Sequence, residues 1–357
     1  MLQEKIELFI KNSPSFYEDG ELNNIDKKHE NIIKSAYQQF SQDLDIDSIK
    51  NWAKQSDMSI PRQLSFLQIK HRGLFKAIVV YFGKLILRRE EDRLIKSTIL
   101  DDVAIIKSRE NGSELLSENP VHLTPGSNLF YEYENTTVTM RWLRYLYAIQ
   151  QIQSNNLLNG NQIWVDVGSY YGGMAGLIKK YLPEVRIVLV DFHHQLCRSY
   201  VYLSELYPDV EHIFPNDISQ YKDLNNLSSG AILYVPASEY EVIQNSKVDL
   251  FTNSFSLGEM RRVVFDSYIN SPLYQNAKNV FLINRFVSSP FFEPTYDTDL
   301  DILDYKLEKN KIVYFDIFPM HHYMLINRKV LGRKELRNVS SPYFEVIINQ
   351  EKKNYEQ

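Results

Sequence analysis

The chain has 357 residues, with 40 Lys and Arg against 45 Asp and Glu, a formal charge of −5 and a pI near 6.0. At roughly 150 residues per domain that length favours two domains, and the acidic balance argues against a dedicated nucleic-acid binder, whose binding face is basic. Hydrophobic residues at 44% and charged residues at 24% can bury a large core, which excludes wholesale disorder.

Cys197 is the only cysteine, so no intramolecular disulfide and no CxxC motif can form, and a cytoplasmic location is the default expectation. The opening MLQEKIELFIKNSPSFYEDGE is amphipathic and acidic, without the basic and apolar regions of a signal peptide. The longest apolar stretch, 74–87, is broken by Lys76 and Lys84 and is too short to span a bilayer. A buried core helix is expected there; a peripheral membrane contact is left open.

In chain order, helix-compatible spacing runs through residues 4–10, 28–40, 47–54, 73–88 and 91–99. Residues 111–128, with Gly112, Pro120, Pro125 and Gly126, predict a loop, and 136–153 predict an amphipathic helix closed by the break at 154–162. From Gln162 the rhythm changes. Strands are expected at 163–167, 186–190, 210–214, 248–252 and 280–283, with helices to Tyr181 and over 195–207. Apolar strands alternating with helices specify an α/β architecture with a parallel sheet covered on both faces. Residues 312–318 and 323–328, split by Pro319, predict a C-terminal antiparallel hairpin.

Glycine is scarce, 13 in all, yet Gly168, Gly172, Gly173 and Gly176 crowd directly behind the first strand. Ligands of a doubly wound sheet bind at the carboxyl ends of its strands. There stand Asp166, two residues before the first glycine, and Asp191, ending the second strand, where a carboxylate can accept both ribose hydroxyls of an adenosine cofactor. A dinucleotide site wants GxGxxG and room for a pyrophosphate. Asp166 would repel that group but suits the sulfonium and ammonium of S-adenosylmethionine.

These residues resemble class I S-adenosylmethionine-dependent methyltransferases, whose first motif is an acidic residue followed by glycines two, four and six places later. Asp166, Gly168 and Gly172 match, and Tyr170 takes the place of the middle glycine. More narrowly, residues 165–173, Pro236 and VDLFTNSFSLGEM at 248–260 are similar to the sugar O-methyltransferase family of bacterial surface-glycan clusters, over about residues 160–330. The resemblance implies a Rossmann-like class I methyltransferase sheet, mostly parallel with a C-terminal antiparallel hairpin; the mainly helical N-terminal region before it carries no matching motif and is expected from its spacing alone. That region, 1–155, would serve as an acceptor lid or for dimerisation, and 156–357 would bind S-adenosylmethionine. The implied reaction is methyl transfer to a sugar hydroxyl in polysaccharide biosynthesis.

On this reading Asp166 faces the methionine amino group, and Gly168, Ser169 and Gly172 border the cofactor. Asp191 holds the ribose and Phe192 packs on adenine, with Asp217 and Ile218 at the adenine edge. Asn253 and Ser254 lie between cofactor and acceptor; turn capping is the alternative for Asp217 and Asn253. Methyl transfer to oxygen usually needs a base, and Glu259 or His322 is expected to be that catalytic residue. Arg285 and His321 would orient the acceptor, a structural ion pair being the alternative for Arg285. His193 and His194 are expected on the adenosine side or the surface.

The acceptor expected is a sugar or glycan rather than a nucleic acid, and a homodimer is left open. Asp297-Thr298-Asp299-Leu300-Asp301 invites a metal reading, with Glu308 at the twelfth position of an EF-hand. Ile302 stands at the sixth, where glycine is needed, so an acidic helix start is favoured and a divalent metal is left without support. No GxSxG, P-loop or HExxH occurs. Two rivals remain: a nicotinamide-dependent sugar oxidoreductase or epimerase, and a catalytically silent methyltransferase-like partner subunit.

Overall fold

The structure is a computed structural model that describes residues 2–13, 93, 96–120, 131–287, 300–320, 322–327, 334–339 and 343–351. The helices expected at 28–40, 47–54 and 73–88 lie outside the described residues. The chain divides into two compact units. One takes the described residues of Met1–Asn51, Gln151–Phe318 and Pro342–Gln357, the other those of Trp52–Gln150 and Pro319–Ser341.

The first unit opens with α1 (Leu2–Lys11), whose Ile6 and Phe9 are fully buried. In the second, α2 (96–107) and α3 (Gly112–Glu118) are followed by a two-stranded antiparallel ladder of β1 (Tyr131–Tyr133) and β2 (Thr136–Val138), then by α4 (Met140–Ser154). Two expectations are corrected here. The loop predicted at 111–128 contains α3, because Leu115 and Leu116 bury against the unit and repay the helix despite the flanking Gly and Pro. The helix predicted from 136 starts only at Met140, because the β-branched run Thr136-Thr137-Val138 pairs with 131–133 instead.

The first unit is built on an eight-stranded sheet. Its strands are β3 (Ile163–Val167), β4 (Arg186–Asp191), β5 (His212–Ile213), β6 (Ile232–Pro236), β7 (Leu250–Ser254), β8 (Asn279–Arg285) and β9 (Ile312–Ile317), closed by the last strand of the chain. Between β9 and that strand, β10 (His322–Asn327) and β11 (Lys334–Val339) form an antiparallel ladder in the second unit. The last strand, β12 (Tyr343–Asn349), runs antiparallel between β8 and β9. The sheet order is β5-β6-β4-β3-β7-β8-β12-β9. Pairing among the first six of these is parallel throughout. The apolar runs IWVDV, RIVLVD and ILYVP are buried on both faces, as a covered parallel sheet requires. Helix α5 (Gly173–Tyr181) leads from β3 to β4, and α6 (His193–Leu206) follows β4.

Three strand expectations change. The position beside β4 belongs to Ile232–Pro236, while the expected third strand at 210–214 pairs over only His212–Ile213, outside β6. The expected strands at 312–318 and 323–328 do not pair with each other: β9 pairs with β12 and β10 with β11. Antiparallel pairing at the C-terminal end is thus present with different partners, since β12 supplies apolar faces that bury between β8 and β9. The chain winds outward from β3 in both directions, so β3 and β7 flank the point where the winding reverses, and their carboxyl ends define the site.

Candidate functional site

Behind β3 the backbone turns through left-handed conformations at Gly168 (φ 77°), Tyr170 (φ 57°) and Gly172 (φ 79°). The Gly168 N–H donates to Val190 O at 2.8 Å, extending the ladder to β4 by one bond. A Cβ at Gly168 would lie 2.2 Å from Ser256 Oγ, so the end of β7 presses on the loop too closely for any side chain. Gly172 caps α5 and packs against Ser199 and Leu203 of α6. Tyr170 follows the turn that glycine would take, and its ring lies 4.9 Å from the Arg198 guanidinium carbon, a cation–π contact. Ser199 Oγ donates to Tyr170 O at 2.7 Å. The Ser169 hydroxyl is buried and has no hydrogen-bond partner among the described residues.

Two carboxylates flank this loop. Asp166 is buried in β3, where its Oδ1 accepts from Thr252 Oγ1 at 2.6 Å, and Thr252 in turn accepts from Trp164 Nε1 at 2.8 Å. Burial pushes the Asp166 carboxyl up to about 7; the Thr252 hydrogen bond opposes this and the charge of Asp191 adds to it. Asp191 accepts from the Tyr170 N–H at 2.7 Å and from the Phe192 N–H at 2.8 Å. Thr252, Ser199 and Arg198 escape sequence reasoning because Ser, Thr and Arg at those positions carry no motif.

Other expected residues are placed as follows. Phe192 is half-buried, with its ring stacked on His194 at 5.9 Å. Both His193 and His194 are buried, so the surface alternative for them is withdrawn. Asn253 is fully enclosed: its Nδ2 donates to Val167 O at 2.7 Å and Ser256 Oγ at 2.6 Å, and its Oδ1 accepts from Leu257 N and Asn284 Nδ2 at 3.0 Å each. It straps together the ends of β3, β7 and β8. Ser254 ends β7 half-buried. Asp217 lies in the 3-10 turn Pro215–Tyr221 and accepts from Gln220 Nε2 at 3.0 Å, while Ile218 is a buried core residue. Because β6 lies between β4 and β5, the turn Ala237–Val242 after β6 stands nearer to Asp191 in the sheet order than Asp217 does.

On the other side, Glu259 Oε1 accepts from Arg285 Nη2 at 2.5 Å, with side chains 23% and 12% exposed. The two residues expected to act as base and acceptor ligand thus meet each other. Arg285 Nε also donates to Tyr343 Oη at 3.3 Å, and Tyr343 packs edge-on to Phe255, which contacts Phe318. His322 opens β10 in the second unit, and its side chain lies outside what the structure describes, as does His321 altogether. Asp301 caps the short helix Ile302–Tyr305 in a capping box with Asp304, as an acidic helix start should, while Asp297 and Asp299 fall outside the described residues. Among the described residues no group of three His, Cys, Asp or Glu could hold a metal, and no helix is long and apolar enough to cross a membrane.

The sheet order, with the antiparallel β12 and the glycine turn at the winding reversal, defines the class: a Rossmann-like α/β fold with a mainly parallel eight-stranded sheet. No family model and no curated protein matches the chain. Among solved structures it is similar to YcgJ of Bacillus subtilis, at 8% identity over 57% of this chain and 98% of that one, with a TM-score of 0.36. It is also similar to TehB of Haemophilus influenzae, at 10% identity over 56% and 60% with a TM-score of 0.33. The methyltransferase domain of a bacterial Hen1 gives 13% identity over 59% and 100% with a TM-score of 0.32.

Proposed function

We propose that the protein is an S-adenosylmethionine-dependent methyltransferase that methylates a hydroxyl of a sugar in a bacterial surface-glycan precursor. The observation that carries the cofactor is the pair of carboxylates, Asp166 and Asp191, on either side of a loop with two left-handed glycines. Asp166 beside the glycine turn favours a cationic ligand over a pyrophosphate, which speaks against the nicotinamide alternative, whereas Asp191 would suit the ribose of either cofactor. Tyr170 takes a left-handed φ of 57°, a conformation that glycine adopts readily, which supports a working loop over a silent subunit.

The residues present fit the cofactor: Asp166 toward the ammonium, the buried Ser169 hydroxyl and the Gly168–Gly172 backbone beside it, and Asp191 on the ribose hydroxyls. When bound, S-adenosylmethionine supplies an electrophilic methyl carbon. Glu259 takes the proton of the acceptor hydroxyl, and Arg285 holds that carboxylate in place through the ion pair. Tyr343, buried and edge-on to Phe255, accepts from Arg285 and so helps hold this pair in place. The sugar itself rests on the resemblance of the 248–260 segment. Incubation with radiolabelled S-adenosylmethionine and a panel of nucleotide sugars and surface-glycan fragments tests the proposal. Label in a sugar methyl ether supports it; cofactor binding with transfer only to a non-sugar acceptor would overturn the sugar assignment.

A further inference from the structure

Two consecutive residues just after α1 reach the turn that follows Asp191 and the turn that carries Asp217, although they are about two hundred positions away in sequence. Asn12 O accepts from the Asn216 N–H at 3.1 Å, and Asn12 Oδ1 accepts from Asn216 Nδ2 at 3.3 Å; Asn216 directly precedes Asp217. Ser13 Oγ hydrogen-bonds His193 Nδ1 at 2.7 Å, with both residues buried. His193 is the first residue of α6, two positions after Asp191.

The rest of α1 anchors these contacts. Phe9 sits edge-on to Phe214 and Tyr234, and Lys5 pairs with Glu205 of α6 at 2.7 Å. Burial lowers the His193 ring to about 3, so it is neutral throughout the working range and the Ser13 contact does not switch with pH. The start of α6 also carries the Phe192 N–H that one Asp191 oxygen accepts. The order of contacts is therefore Ser13 to His193, His193 to the start of α6, and that start to the Asp191 carboxylate.

We infer that α1 is a positioning element of the cofactor site: Ser13 and Asn12 brace the turns that carry Asp191 and Asp217, and docking of α1 and cofactor binding strengthen each other. This rests on the methyltransferase reading of the same strand edge. Removing the Ser13 hydroxyl deletes the 2.7 Å hydrogen bond that ties the buried His193 ring to the end of α1 and frees the start of α6 to shift. Coupling between two sites is reciprocal, so a ligand held by Asp191 must also hold α1 more firmly.

The test is calorimetric affinity for S-adenosylhomocysteine of wild type, Ser13→Ala and Ser13→Thr, with amide exchange over α1 of wild type with and without that ligand. Ser13→Ala is expected to weaken binding about tenfold, within the usual range of such coupling, and Ser13→Thr to restore it to within about twofold. Exchange over α1 slows on binding. The exchange arm uses wild type alone and so stands if Ser13→Ala does not fold. Unchanged affinity in Ser13→Ala together with ligand-independent exchange overturns the inference while leaving the methyltransferase reading intact. A wild type that binds no S-adenosylhomocysteine overturns both.

Discussion

The backbone N–H of Tyr170 donates to the Asp191 carboxylate at 2.7 Å, so the loop after β3 is tied to the end of β4 through a residue in left-handed conformation. A non-glycine residue in that conformation costs roughly 1–2 kcal/mol, offset here by the Arg198–Tyr170 contact. Tyr170→Gly keeps the N–H and the turn, and should bind S-adenosylhomocysteine within about threefold of wild type. Tyr170→Val puts a β-branched side chain where it is strained and should lower the melting temperature by several degrees, as roughly 1–2 kcal/mol does for a small domain. Equal melting temperatures for the two variants would contradict the assigned strain.

At Gly168 both steric limits apply at once. The φ of 77° disfavours any side chain, and a Cβ would meet Ser256 Oγ at 2.2 Å and Ser256 Cβ at 2.9 Å. Gly168→Ala should therefore destabilise by roughly 2 kcal/mol or more and remove cofactor binding. Gly168→Ala with Ser256→Gly relieves the clash but keeps the backbone strain, and should recover stability only in part. A fully stable Gly168→Ala, measured by chemical denaturation, contradicts the close approach.

Asp166 gives a pH dependence with a definite sign. Its carboxyl titrates near 7 in the folded protein, against the ordinary 3.8, because it is buried. The folded state holds the proton longer, so this group's contribution to stability is complete below about pH 4 and is lost as pH rises through 7, on the order of 4 kcal/mol. A cationic ligand selects the ionised form. Cofactor affinity should thus rise about tenfold between pH 6 and pH 8, with proton release on binding. Asp166→Asn removes that slope, weakens binding and stabilises the ligand-free protein at pH 8. An affinity independent of pH across this range in wild type would show that Asp166 does not face the cation.

The Glu259–Arg285 pair separates turnover from cofactor binding. Glu259→Gln should lower the methyl-transfer rate by about a hundredfold or more, the usual worth of a positioned base, while leaving S-adenosylhomocysteine affinity unchanged. If His322→Ala abolishes transfer and Glu259→Gln does not, the base is His322 and Glu259 serves only to hold Arg285.

Much of the sheet is readable in the sequence because its strands are uninterrupted apolar runs bounded by Gly or Asp. Strands β3 and β4 and helices α5 and α6 fall within two residues of expectation for that reason. Strand β6 is missed because AILYVPAS follows a polar stretch with no helix before it, while the third-strand position goes to VEHIF at 210–214, a less apolar segment that comes first in the chain. Strand β12 is broken in pattern by Glu345, which accepts from Gln151 and Tyr314 inside the protein, a pairing that only tertiary structure supplies. The acids and glycines of the site were legible because their spacing carries chemistry. Asn253 read as a ligand residue for the same reason that makes it a strap, a polar side chain at a strand end. The role of Ser13 was invisible, since its partner lies 180 positions away.

The central claim, an adenosine-type sulfur cofactor held by Asp191, is tested most directly by calorimetric titration of wild type and Asp191→Ala with S-adenosylmethionine, S-adenosylhomocysteine and NADH. The account predicts that wild type binds the two sulfur ligands and not NADH, and that Asp191→Ala loses both while remaining folded by circular dichroism. Binding of NADH alone, or sulfur-ligand binding that survives in Asp191→Ala, would contradict it.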